Sequence, residues 1–336
     1  MRKYGVATVL LILGMASTSG AQITEIIDLW DPLSLYYPSG IAVDGSGNVF
    51  VVGYHSNNAF KITPGGVVTE IINASGDGGG KILDRPWATA VDGLGNFYVA
   101  GYFSDNVFKI TPAGVITEVI NMGGDGTNLL YGPSGLAVGG SNEIYVVGYS
   151  SRNAFKITSG GVITEIIDPT GAGRGQELRG PMGVAVDESG TVFVVGGGSR
   201  NAFRIAPDGV ITEIIDSTGD GVNPLLFPTD VAVDSSGNVF VPGQVSDNVF
   251  RIDPTGVITQ IIDSSGDGGG NTLGGPTGVA VDTSDNLFVT GYLGDNVFKI
   301  TPNGVISEII DETGDGAGNR LFFQKKSPRI RRTTST

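Results

Sequence analysis

The chain has 336 residues, 55 of them Gly, with one His, no Cys and a formal charge of -14. The lack of Cys excludes disulfides, zinc–thiolate centres and thiol nucleophiles. The acidity argues against a nucleic-acid partner, because phosphate backbones are repelled.

In chain order, residues 1–21 read as a signal peptide. Arg2 and Lys3 give a positive start, Val6 to Met15 is mostly apolar, and Ser19-Gly20-Ala21 suits cleavage before Gln22. About ten apolar residues are too few to span a bilayer. The expectation is a secreted or periplasmic monomer with no membrane span. Residues 22–323 then form the repeat domain. Residues 324–336 form a basic tail, read as disordered. Removing Arg2 and Lys3 takes the charge to -16, and without the five cations of the last twelve residues the body carries -21.

The repeat is marked by Ala-Val-Asp or a near copy, with Ala42, Ala90, Ala137, Ala185, Ala232 and Ala280 spaced 47 or 48 residues apart. Within one copy, Ile41 to Asp44, Val49 to Gly53, Ala59 to Thr63 and Val67 to Ile72 read as short strands. Between them lie Gly-Ser-Gly-Asn, Ser-Asn-Asn and Pro-Gly-Gly turns. Six such four-stranded units predict an all-β fold, a β-propeller. Ile23 to Ile27 repeats the fourth strand, so six blades plus a surplus strand is favoured. A seventh blade is the alternative, because the next repeat breaks off after Leu321-Phe322-Phe323.

The recurrent Phe60, Phe108, Phe155, Phe203, Phe250 and Phe298 are expected to fill the space between blades, and the small alanines to line the crowded axis. Lys61 and its equivalents are expected to pair diagonally with Glu70 and its equivalents on an exposed face. The turn asparagines, Asn58 through Asn296, read as structural.

These motifs resemble the NHL-repeat family. The resemblance is carried by GDGGGKILDRPWATAVDGLGNFYVAG (Gly76 to Gly101), GPTGVAVDTSDNLFVTG (Gly275 to Gly291) and NVFKITPNGVISEII (Asn296 to Ile310). It covers about residues 22 to 320 and implies a propeller used mostly as a binding platform. One departure is that the second strand ends in Gly, often Gly-Tyr, where the family often has Ala-Asp. The KITPxGVITE register is also similar to streptogramin (virginiamycin B) lyase, whose chemistry depends on histidine and glutamate near magnesium. Here the one histidine, His55, lies in a turn and reads as a surface residue. Gluconolactonase-like propellers imply carboxylate and amide metal ligands in the channel, and no unique acid stands out on the first strands to match them.

Two residue sets remain. Asp216, Asp220, Asp263, Asp267, Asp311 and Asp315 occupy positions 1 and 5 of loops resembling half of a calcium site, without the distal bidentate Glu. They read as caps for Gly-rich turns, with weak structural Ca2+ as the alternative and no other cofactor. Arg152, Arg174, Arg179 and Arg200 break the acidic pattern of one loop face. Guanidinium forks suit carboxylate, sulfate or phosphate groups, so this is the candidate ligand patch, for a protein or an acidic glycan. The functional expectation is a non-enzymatic binding or scaffold module. The alternative is a metal-dependent lyase or hydrolase of the streptogramin lyase or gluconolactonase type.

Overall fold

The computed structural model describes residues 35–173, 175–314 and 321. The signal peptide, the surplus strand Ile23 to Ile27, Arg174, Asp315 and the basic tail lie outside the described residues. Blade one consists of Pro38–Val43, Val49–Gly53, Asn58–Ile62 and Val68–Ile72, paired in that order and antiparallel throughout. Five further four-stranded sheets repeat this pattern, giving six blades of a β-propeller. Among the described residues no helix is long and apolar enough to cross a membrane.

The repeat motifs explain the local structure. Asp44 ends the first strand, and its carboxylate accepts the N–H groups of Ser46 and Asn48 and the side chain of Asn48, which closes the hairpin turn. Gly47 takes φ +77° in that turn, a region open to glycine at no steric cost. The second strand is buried along its whole length in five of the six blades, as its run of Val and Phe requires.

Five of the six third-strand Phe rings fill the spaces between blades, while Phe60 clusters with blade-one residues. Phe108 packs with Phe50, Val52, Ala59 and Ile72 of the preceding blade, and Phe203 with Tyr145, Val147, Ala154 and Ile167. Full burial of each ring is worth roughly 2–3 kcal/mol, and here it welds one sheet to the next. First strands of successive blades lie side by side around the axis.

The expected Lys–Glu ladder does not form. The turn pairs Ile62 with Val68 rather than with Val67, which sets Lys61 opposite Thr69 and Phe60 opposite Glu70. Lys61 Nζ lies 5.8 Å from the centroid of the Phe50 ring instead, and Glu70 accepts from Asn58 Nδ2 at 3.2 Å. Successive residues of a strand point to opposite faces, so Glu70, paired with Phe60, lies on the face away from Lys61.

The asparagines are structural, in a more specific way than a self-bonded turn. Asn201 Nδ2 donates to Glu213 Oε1 and to the carbonyl of Glu177, while its Oδ1 accepts the hydroxyl of Ser199. One buried amide thus ties turn, fourth strand and lead-in loop together.

Among the described residues no buried cluster spans the junction from blade six to blade one. Ser39 and Ser134 each donate to a Pro carbonyl on the next blade at 2.7 Å. Thr277 of blade six instead pairs with Thr290 of its own sheet at 3.3 Å. Leu83, Leu130, Leu178, Leu225 and Leu273 join clusters that span two blades. Leu35 clusters with blade-one residues and Leu321 with blade-six residues.

Candidate functional site

On the loop face, each blade's lead-in residue pairs with the residue that follows the second strand. Tyr54 N donates to Tyr37 O, Tyr102 N to Arg85 O and Tyr149 N to Gly132 O, at 2.9–3.1 Å. The register places one residue per blade at this mouth: Tyr54, Tyr102, Tyr149, Gly197, Gln244 and Tyr292 in turn. Four of the six are tyrosines, and they fall on consecutive blades six, one, two and three.

The rings form a continuous arc. Tyr54 meets Trp87 edge-on at 5.5 Å, Trp87 lies 6.2 Å from Tyr102, and Tyr102 lies 6.3 Å from Tyr149. Tyr36, Tyr37 and His55 extend it on blade one, all with centroids within 5.4 Å of a neighbour. Burial, then Tyr292 and Tyr54, hold the Tyr37 hydroxyl above its ordinary value. Arg85 lays its guanidinium 4.2 Å over Phe103 and 5.7 Å from Tyr54. Spacing along the chain does not reveal the arc, although the Gly-Tyr departure from the family pattern is its signal.

The arginine set sits on the same face. Asn57, Asp105 and Asp247 occupy the second-turn position where a side-chain oxygen accepts the N–H of the next blade's lead-in residue, Arg85, Gly132 and Gly275 respectively. Arg152 and Arg200 hold this position in blades three and four, where they cannot accept. Both are exposed, with φ +60°. Arg179 lies beside the Arg200 turn, because its carbonyl accepts from Ser199 N. Its guanidinium is paired with Glu177, Nε to Oε2 at 2.8 Å. Among the described residues no carboxylate lies within ion-pair reach of Arg85, Arg152 or Arg200.

The loop aspartates are turned onto their own backbones. Asp216, Asp263 and Asp311 accept from the N–H and hydroxyl two residues on. Asp220 accepts from Val222 and Asn223, and Asp267 from Gly269 and Asn271. These donors hold the carboxyls of Asp220, Asp263, Asp267 and Asp311 below the usual range. Among the described residues no group of three His, Asp or Glu is placed to hold a metal ion.

One acid stands out just ahead of the inner strand of blade five. Asp230 sits where blades one, three, four and six have Gly40, Gly135, Gly183 and Gly278. Its carboxylate accepts from Val231 N and, across the blade boundary, from Val279 N. Some of its surface stays accessible, but the protein packed around the carboxyl pushes its pKa up to about 6. The inner strand of blade five is reduced to Ala232–Val233.

Fold and site together define a β-propeller with an aromatic, arginine-flanked mouth. Residues 21–60 match the β-propeller repeat named SBBP. A search among curated proteins finds no match. Among solved structures, virginiamycin B lyase from Staphylococcus aureus superposes with TM-score 0.66 at 17% identity, over 83% of this chain and 85% of that one. The nidogen/laminin complex gives TM-score 0.53 at 17% identity over 68% and 80%. A gluconolactonase from Xanthomonas campestris gives TM-score 0.53 at 16% identity over 76% and 82%. At these identities the likeness shows the fold alone, and it agrees with the propeller resemblance carried by the repeat motifs.

Proposed function

We propose that this chain is an exported, non-enzymatic binding propeller that takes its ligand on the loop face. The observation that carries the reading is the arc from Tyr54 through Trp87 and Tyr102 to Tyr149, with ring centroids 5.5–6.3 Å apart. Aromatic rings at a propeller mouth supply large contact area at small entropic cost, and all four are partly exposed. Arg152, Arg179 and Arg200 border the arc and favour a ligand that carries negative charge, on an acidic glycan or a protein surface. Export rests on the charged and apolar start of the chain.

A second reading, a metal-dependent lyase or hydrolase, is favoured by Asp230 alone, whose carboxyl titrates near neutrality inside the channel. Its weakness is that among the described residues no group of three His, Asp or Glu is placed to hold a metal ion.

One experiment separates the two. The mature chain is incubated with a panel of neutral and acidic oligosaccharides, sulfate and a cyclic lactone antibiotic, with and without Mg2+. Melting temperature and ligand mass are then read together. A binding module raises the melting temperature and returns its ligand unaltered, and the Tyr54→Ala/Tyr102→Ala variant loses the shift. A ligand recovered cleaved or ring-opened would establish the enzyme reading. A shift that survives the double variant would remove the loop face as the site.

A further inference from the structure

On the reading that the loop face binds a ligand, we infer that the ligand is a glycan of uronic-acid type. Its sugar rings stack on the tyrosine–tryptophan arc, and its carboxylates are received by Arg85 and Arg152. Three observations converge. The first is shape: Gly132 and Gly180, the lead-in residues beside Tyr102 and Tyr149, carry no side chain over those rings. A Cβ built there would come 3.3 Å from the Tyr102 ring and 3.1 Å from the Tyr149 ring. Glycine thus lets the chain pack against these two rings without covering them with a side chain, and Tyr54, Trp87, Tyr102 and Tyr149 each stay partly exposed at centroid steps of 5.5–6.3 Å. Tilted 48–81° from one to the next, the rings offer faces and edges in turn to the apolar C–H faces of successive pyranose units.

The second observation is charge. In a chain with 34 carboxylates and 20 Lys and Arg, a guanidinium has carboxylate partners in abundance. Arg85 and Arg152 nevertheless have none among the described residues. Arg85 is held by π contacts to Phe103 and Tyr54. Stacking fixes the guanidinium plane and leaves its edge N–H donors for a ligand oxygen, the geometry that suits bidentate carboxylate.

The third is position. Arg152 is three residues beyond Tyr149 in the same turn, and Arg85 is two before Trp87. The two cations thus flank the middle of the arc, on blades two and three. The nearest acid of the intervening turn, Asp105, is directed onto Gly132 N at 2.7 Å rather than toward the arc. Neutral sugars would use the rings without the cations, and a small inorganic anion would use the cations without the rings. An acidic glycan uses both.

The test is titration of the mature chain with trigalacturonate and with its methyl ester, which keeps the rings and removes the charge. Calorimetry reads affinity, and fluorescence in a Trp30→Phe background isolates Trp87. The expected result is binding of trigalacturonate with a Trp87 response, and binding of the ester at least about tenfold more weakly. Arg85→Gln and Arg152→Gln should each weaken the acid by about tenfold, the worth of one charge-assisted hydrogen bond, and leave the ester unchanged. Tyr102→Ala should weaken both ligands. Equal affinity for acid and ester would overturn the uronate assignment while leaving a glycan-binding loop face in place. No Trp87 response and no heat with either ligand would also overturn it. The loop-face reading then stands or falls on the wider panel and the tyrosine double variant.

Discussion

Asp230 Oδ2 accepts the Val279 N–H at 3.0 Å, linking blade five to blade six through a carboxylate where four sibling blades have glycine. In the folded chain this carboxyl titrates near pH 6, against an ordinary value of 3.8, because burial disfavours its charged form. Between those pH values the folded chain retains a proton that the unfolded chain has released. Stability therefore falls as pH rises through this window, and the loss is complete above pH 6. Asp230→Gly removes the charge and restores the residue around which the inner strand runs its full six residues in other blades. It is expected to melt higher than the parent at pH 7.5. The gain should be of order 1–2 kcal/mol once channel water is allowed for, and should shrink toward pH 5. Melting curves of both proteins at pH 5, 6 and 7.5 check this, and an equal difference at all three would clear the carboxyl.

Blade six supplies a natural deletion of one hydrogen bond. In blades one to five a Ser hydroxyl two residues before the turn Asn donates to its Oδ1, as Ser246 does to Asn248 at 2.7 Å. Blade six has Gly294 in that place, and Asn296 Oδ1 is left buried without a partner. Gly294 does not need a left-handed backbone, so serine fits once Asn296 shifts to the position its siblings hold. Gly294→Ser should stabilise the chain by about 1 kcal/mol, read as a higher denaturant midpoint at unchanged slope.

How much of this is legible in the sequence follows from what a repeat encodes. The 47–48-residue period, the four strands and the inter-blade phenylalanines each depend on local pattern, so residue order alone reveals them. The Lys61–Glu70 ladder fails because the Pro64-Gly65-Gly66 turn pairs Ile62 with Val68, and a slip of one residue moves Glu70 to the other face. The aromatic arc brings Tyr54, Trp87, Tyr102 and Tyr149 together from three repeats across almost a hundred residues of chain. Radial arrangement, not spacing, makes them neighbours. Asp230 is visible as one letter in Pro-Thr-Asp-Val-Ala-Val-Asp. The neighbouring letters of that motif vary from blade to blade, and the second Asp, a turn cap in other repeats, masks the first.

The inter-blade phenylalanines carry the clearest stability prediction. Phe203 is fully buried at the junction of blades three and four, among Ala154, Ile167 and Leu178. Alanine there leaves a void that rigid flanking sheets cannot close, and the cost should be about 3–5 kcal/mol. Leucine should cost less, because it refills part of the space. Urea unfolding of the two variants gives the comparison, and a cost under about 1 kcal/mol for alanine would mean that the blades close onto each other.

Arg152 joins stability to binding. Its position in the other blades belongs to a residue that accepts the next lead-in N–H, as Asp105 does for Gly132 and Asp247 for Gly275. At blade three the Gly180 N–H lacks that acceptor from Arg152, and the arginine backbone is held at φ +60°, a region that Asp tolerates better. Arg152→Asp should therefore raise stability by about 1 kcal/mol, seen as a higher melting temperature. The same change places a carboxylate beside Tyr149 and should abolish trigalacturonate binding while weakening the methyl ester little. Gain of stability with loss of acid binding would mark Arg152 as a residue kept for recognition at a structural cost. Gain of stability with binding intact would return it to the ordinary solvated surface.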